Sequence, residues 1–325
     1  MEQQIGSIIA NCHGFGEVLS YAKTAAYSSC AVLITGESGT GKEIVARTIH
    51  EHSANKSGRY VPVNVAALPS DLVESHLFGH VTGAFTGATH NRAGAFRSAT
   101  GGTLLLDEIG ELPVPTQPKL LRAIEQKEIQ PVGSDTPVTV NTRIIAATSR
   151  NLRQMVEAGC FREDLLYRLN VVEIHIPPLR ERPEDIPTLA EYYCRHHAEN
   201  YGKPVKRLNT EACLQLLNHP WKGNVRELSN VIERAVLFCE SDTIGPDDLN
   251  LDPCAESHLA RASLQEAVDA FKKQHIISIL QSVNGNRSKA AEKLSLSQAT
   301  LFRYIEKYGL KGYALHAHRP QSSQS

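Results

Sequence analysis

Apolar positions along the chain switch between two rhythms. Short unbroken runs, "AVLITG", "YVPVNV", "GGTLLLDEIG" and "VNTRIIAATS", have the length and flanking residues of buried strands. Between them, "KEIVARTIHEHS" repeats its apolar residues at helical spacing. Strands alternating with helices predict a parallel sheet flanked by helices over residues 1–172. From there the rhythm is helical only: "EDIPTLAEYYCRHHAENY", "NTEACLQLLNHP" and "NVRELSNVIERAVLF" predict an all-α subdomain over 173–240. "ESDTIGPDDLNLDPCAESHLA" is acidic and polar with two prolines, and predicts a linker over 241–262. A last helical block fills 263–312, and 313–325 reads as a disordered tail. One stretch fits neither rhythm. "VTGAFTGAT" holds Phe85 between glycines that suit no helix interior, on a segment too weakly alternating for a core strand.

Composition narrows the class without naming it. The 325 residues are 41% hydrophobic and 21% charged, an ordinary globular balance. A net charge of −1 spreads no basic field over the molecule, so any nucleic-acid surface must be local. No apolar run approaches the roughly 20 residues that span a bilayer, and "MEQQIGSIIANCHGF" lacks the basic start and apolar core of a secretory signal. Seven scattered cysteines with no C-x-x-C pair point to reduced thiols and a cytoplasmic location. Cys194, His196 and His197 sit together in "YYCRHHAEN", which reads as a solvated helix rather than a metal site.

The strongest chemical signal is "LITGESGTGKE". Gly36, Gly39, Gly41 and Lys42 match seven positions of the phosphate-binding pattern G-x-x-x-x-G-K-[ST], between a strand and a helix as required. Backbone N–H groups of Gly36, Glu37, Ser38, Gly39, Thr40 and Gly41 would cradle phosphates, and Lys42 would reach the terminal ones. Glu43 stands where a magnesium-binding hydroxyl usually follows. Asp107 and Glu108 end the apolar run of "GGTLLLDEIG". One carboxylate can hold Mg²⁺ through water, here Asp107, and the other can polarise an attacking water. Alone, either motif also fits a plain turn or strand end; together they point to ATP and Mg²⁺.

The last block carries a second signal. "NRSKAAEKLSLSQATLFRYIEKYGL" predicts helices over about 288–294 and 298–308 around a tight "SLS" turn, with Ala290, Leu294, Leu301 and Ile305 as a small core. That is a helix-turn-helix. Arg287, Lys289, Lys293, Arg303, Lys307 and Lys311 outnumber Glu292 and Glu306, the local excess that phosphate contacts need. Ser297, Gln298, Thr300 and Arg303 lie at the start of the recognition helix, where base edges are reached. Small basic helical hairpins also occur without binding anything.

In these motifs the chain resembles a sigma-54-dependent transcriptional activator, a bacterial enhancer-binding protein of the AAA+ ATPase superfamily. "GESGTGKE", "GAFTGA", "FREDLLYRLNV", "PPLRERPEDI" and "WKGNVRELSNVIERAV" occur in the family's order, and the resemblance runs from about residue 5 to 310. It implies an AAA+ P-loop sheet, a helical lid subdomain and a Fis-type helix-turn-helix. It makes Gly83, Ala84, Phe85, Thr86, Gly87 and Ala88 the loop that touches the sigma factor. It implies that Asn64 holds Glu108, that Thr148 is a first sensor, and that Arg226 senses nucleotide from the lid. Ser149 follows Thr148 where relatives often have Asn or His, a departure that puts its share in sensing in question. Arg162 and Arg168 resemble arginines that reach a neighbour's nucleotide, although each also fits a surface cation paired with Glu163 or Asp164. An arginine from next door implies a ring, by resemblance a hexamer. The implied activity is ATP-driven remodelling of the sigma-54 RNA polymerase holoenzyme from an upstream DNA site. A DNA-binding regulator with a vestigial ATPase, and an AAA+ chaperone without promoter role, are the alternatives. The nucleotide domain begins almost at residue 1, so control by a regulatory protein in trans, constitutive competence and truncation are all open.

Overall fold

The computed structural model describes residues 13–85, 87–251, 276, 279–280, 283, 286–294 and 296–308. Thr86, residues 252–262 of the expected linker and the expected tail lie outside the described residues. The chain forms two compact units, the second beginning at Asp252.

Five parallel strands make the main sheet: β1 (Val32–Thr35), β2 (Tyr60–Asn64), β3 (Thr103–Asp107), β4 (Arg143–Thr148) and β5 (Val172–His175). Their order is β2-β3-β4-β1-β5, so β4 separates β1 from β3. The central strands are apolar without alternation because both faces are covered, as a parallel sheet requires. All six residues of β4 are buried, and so are Leu104, Leu105 and Leu106 of β3. Helices α1 (His13–Ala26) and α2 (Lys42–Glu51) cover one face, where Phe15, Leu19, Val45 and Ile49 pack on Ile34 and Ile145. On the other face Leu77, Phe78, Phe96 and Leu120 pack on Leu104 and Leu106.

A helical subdomain follows, built from α3 (Asp185–Tyr201), α4 (Thr210–Asn218) and α5 (Asn224–Phe238). Trp221, fully buried ahead of α5, donates its indole N–H to Leu216 O at 2.8 Å. Two sequence expectations change here. The α3 segment is half-buried rather than solvated: Tyr192, Cys194, His197 and Ala198 face the core. Burial pushes the Cys194 thiol up to about 12, which makes it an inert packing group. No cluster of His, Cys, Asp or Glu among the described residues has the arrangement of a metal site. Secondly, the expected linker does not start at 241. Residues Thr243–Ile244 pair in parallel with Arg207–Leu208, and Pro246–Leu249 form a helical turn. Ile244 and Leu249 are fully buried, so two apolar residues in an acidic stretch suffice to hold it down.

In the second unit, α6 (Arg287–Lys293) and α7 (Gln298–Lys307) enclose Ala290, Ala291, Leu301 and Ile305, with Ile276 and Leu280 beside them. Each helix starts on a side-chain cap, Asn286 accepting from Lys289 N and Ser297 from Thr300 N.

Candidate functional site

The loop from Gly36 to Lys42 leaves the end of β1 and turns into α2, with Gly36 N donating to Thr148 O of β4 at 3.3 Å. Gly39 has φ +79, and a Cβ there would lie 2.4 Å from Gly223 O, so no other residue fits. Lys42 is 7% exposed and donates to Gly36 O and Glu37 O at 3.0 and 3.3 Å. Its ammonium also meets Glu108 Oε1 at 3.2 Å. The cradle, the buried cation and the facing carboxylates together fit a nucleoside triphosphate with a divalent cation.

Asp107 and Glu108 are adjacent but face opposite neighbours. Register pairs Asp107 with Asn64, whose Nδ2 lies 3.5 Å from Asp107 Oδ2 and whose Oδ1 accepts from Ala67 N. Glu108 adopts φ +51, a left-handed conformation costly for a non-glycine residue. That turn carries its carboxylate to the end of β4, where Oε2 accepts from Ser149 N at 3.0 Å and from Ser149 Oγ at 2.9 Å. The expectation that Asn64 holds Glu108 is therefore corrected: Asn64 is on Asp107, and Ser149 is the residue on Glu108. Thr148 is fully buried with its hydroxyl accepting from Arg150 N, so it does not face this cleft.

The same geometry pushes the two carboxyls apart in acidity. Burial and the neighbouring Glu108 charge raise Asp107, against the pull of Lys42. Burial would raise Glu108 too, but the two Ser149 donors and Lys42 outweigh it and hold the carboxyl below its usual range. Glu43 is exposed in the first turn of α2, 3.9 Å from Arg47, and adds to the negative field on Asp107.

The helical subdomain closes the cleft, which encloses about 330 Å³ between Lys42 and Glu108 on one side and Tyr193, Val225 and Arg226 on the other. Arg226 Nη1 donates to Ser38 Oγ at 3.0 Å, which brings this expected sensor to the loop. Val225 N donates to Gly39 O at 3.0 Å. Sequence reasoning missed the group that organises these contacts. Asn224, fully buried with φ +54, accepts from Leu179 N at 2.7 Å and donates to Glu37 Oε2 and Ser38 O at 3.0 and 3.1 Å. Arg180 holds the same Glu37 carboxylate by two bonds of 2.8 and 2.6 Å, and Arg182 donates to Thr40 O. The Arg180 bonds and Asn224 lower Glu37 to about 2. "GNVREL" and "PPLRER" contained these residues, but nothing in their spacing ties them to a loop more than 140 positions earlier.

Other expected residues lie elsewhere. Arg162 is exposed and bidentate to Asp164 at 3.0 and 2.7 Å. Arg168 is exposed beside a separate pocket shared with Cys30, Lys127 and Arg143. Neither lines the phosphate-loop cleft of its own chain. The "GAFTGA" loop is closed at its base by Gly83 N to Ala88 O at 2.9 Å, with Thr82 N and Oγ1 both on Asn91 Oδ1. Gly83 and Gly87, at φ +83 and +103, stand in open space. Phe85 does not fold into the core; it is 38% exposed, with its ring edge-on to His80 at 5.0 Å.

In the second unit, Arg287 and Lys289 lie on α6 and Ser297, Gln298, Thr300 and Arg303 at or on α7. Ser297 and Thr300 are bonded to each other through the cap and at 2.8 Å between hydroxyls. Gln298 Nε2 donates to Ser288 Oγ. Arg303 and Lys289 are exposed.

Comparison with known proteins agrees with this layout. Residues 8–175 match the sigma-54 interaction domain, 180–266 the AAA+ ATPase lid domain, and 267–308 the bacterial regulatory protein, Fis family. The DNA-binding transcriptional activator HyfR of Escherichia coli is 42% identical over 94% of this chain and 48% of its own length. The transcriptional regulatory protein FlbD of Caulobacter vibrioides is 44% identical over 91% of this chain and 69% of its own. The chain thus spans about half to two thirds of the curated relatives it matches. NtrX from Brucella abortus, solved in complex with ATP, superposes with TM-score 0.69 at 34% identity, over 91% of this chain and 68% of that one.

Proposed function

Since this chain belongs to the family of sigma-54-dependent transcriptional activators, we propose that it hydrolyses ATP to remodel a sigma-54 RNA polymerase closed complex from an upstream DNA site. The observation that carries this reading is the meeting of Lys42, Asp107 and Glu108 in one cleft lined also by Arg226, with Glu108 held from the end of β4 by Ser149. A bound Mg²⁺ neutralises charge on the phosphoryl group in transfer, and Asp107 is the carboxylate to hold it through water. Lys42 and the loop N–H groups orient the terminal phosphates. Glu108, held ionised by Ser149, accepts a proton from the attacking water. Arg226 ties the state of the loop to the helical subdomain. Arg162 and Arg168, exposed and outside their own cleft, suit delivery to a neighbour's phosphates in a ring, by family resemblance a hexamer. The exposed Phe85 on its glycine-flanked loop is the contact offered to sigma.

The second unit supplies DNA attachment, through Arg303, Arg287 and Lys289 first. Among the described residues no helix is long and apolar enough to cross a membrane, which fits a cytoplasmic site of action. In vitro transcription from a sigma-54 promoter tests the proposal. Open-complex formation is expected with ATP and not with a non-hydrolysable analogue; no opening with ATP, or equal opening with both, rejects the proposal.

A further inference from the structure

On α7 the polar residues nearest the helix start are already hydrogen-bonded within the unit, although Ser297 and Gln298 are exposed. Ser297 and Thr300 close the N-cap, and Gln298 is bonded across to Ser288 of α6. Leu301 and Ile305 point inward at 1% exposure. Beside Ser297 and Gln298, the solvent-facing side near the start of α7 presents Ala299, Phe302 and Arg303, all exposed, Phe302 at 50%. A half-exposed phenylalanine beside Arg303, with Ala299 just under a turn before it and Glu306 one turn after it, offers phosphates nothing.

We propose that Phe302 is a specificity-determining residue that reads the C5-methyl group of a thymine in the major groove. This rests on the DNA-binding reading of the second unit. Phosphates and sugars offer an aromatic ring nothing apolar, whereas thymine's methyl is the apolar group on a major-groove base edge. Ala299, one turn before Arg303, has no side chain beyond Cβ to hold the helix away from the bases. Arg303 then stands beside Phe302 to meet guanine O6 and N7 or a phosphate, and Arg287 and Lys289 on α6 supply charge for the backbone. Arg303 beside Phe302, with Arg287 and Lys289 on α6, favours duplex DNA over an apolar protein surface as the occupant.

The test uses the full chain and a random-sequence duplex library. Wild type and Phe302→Ala are each put through selection, and every thymine of the wild-type consensus is then replaced singly by deoxyuridine, which lacks the methyl. At one thymine, deoxyuridine is expected to weaken wild-type binding about fourfold, the worth of one buried methyl group. Phe302→Ala is expected to be indifferent at that position, while its affinity for unselected duplex and its salt dependence match wild type. Phe302→Leu, which keeps an apolar tip, is expected to retain part of the preference. An unchanged consensus in Phe302→Ala, or a deoxyuridine penalty that persists in it, overturns the inference. Failure of the wild type to enrich any sequence overturns the DNA-binding reading itself.

Discussion

Replacing Asn224 by alanine removes one side chain from a fully buried position and disturbs three partners at once. Alanine at φ +54 costs about 1–2 kcal/mol, because its Cβ crowds the carbonyl in the left-handed region. Leu179 N loses its acceptor in the interior, worth about 1–3 kcal/mol. The bonds to Glu37 and Ser38 add about 1 kcal/mol each, the low end of the range, since Glu37 is 41% exposed and keeps Arg180. Taking each at its minimum gives about 4 kcal/mol, a large part of the roughly 5–15 kcal/mol that holds a domain folded. Urea denaturation of the full chain measures it. Asn224→Gly accepts the backbone conformation and is expected to recover about 1 kcal/mol of the loss. Asn224→Asp keeps an acceptor for Leu179 N but sets a second carboxylate against Glu37, and is expected to weaken ATP binding more than it weakens the fold. A loss under about 1 kcal/mol for Asn224→Ala, with unchanged ATP affinity, refutes the view that this residue fastens the phosphate loop to the helical subdomain.

Three further outcomes follow from the same geometry. Ser149→Ala removes one of two donors that hold the Glu108 carboxyl low, so its proton is bound more tightly and the acid limb of the kcat–pH profile moves to higher pH; an unmoved limb rejects Ser149 as the partner. Glu37, lowered from 4.5 to about 2 chiefly by Arg180, stabilises the fold fully above its ordinary range and loses that contribution as pH falls toward about 2. Glu37→Gln should flatten the fall in urea midpoint between about pH 6 and pH 3; an equally steep fall assigns acid lability elsewhere. Phe85→Ala forfeits about 1.5–3 kcal/mol of burial in a partner, and is expected to keep hydrolysis while abolishing promoter opening, a result that normal opening would contradict.

The parts of the site visible in the sequence were those built from neighbours in the chain. "GESGTGKE" announces its own loop because glycines and a lysine at fixed spacing make a phosphate cradle without help from elsewhere. The same holds for the Asp107–Glu108 pair and for the small core of α6 and α7. What stayed hidden depends on long-range placement. Ser149 became the partner of Glu108, and Asn64 of Asp107, because strand register sets one carboxylate beside β2 and the left-handed turn at Glu108 sends the other toward β4. Asn224 and Arg180 meet Glu37 only after the helical subdomain folds back over the loop. The acidic segment from 241 misled by composition, since charge along a stretch says little when Ile244 and Leu249 anchor it.

β4 runs between the strand that feeds the phosphate loop and the strand that ends in the two carboxylates, and it is buried along its full length. The two halves of the cleft are thus mounted on one stiff plank and cannot be pried apart without breaking ladder bonds on both flanks. Whatever mechanical stroke accompanies turnover has to be produced beyond the strand tips, by exchanging the bonds that Ser149, Glu108 and residues 224–226 make there.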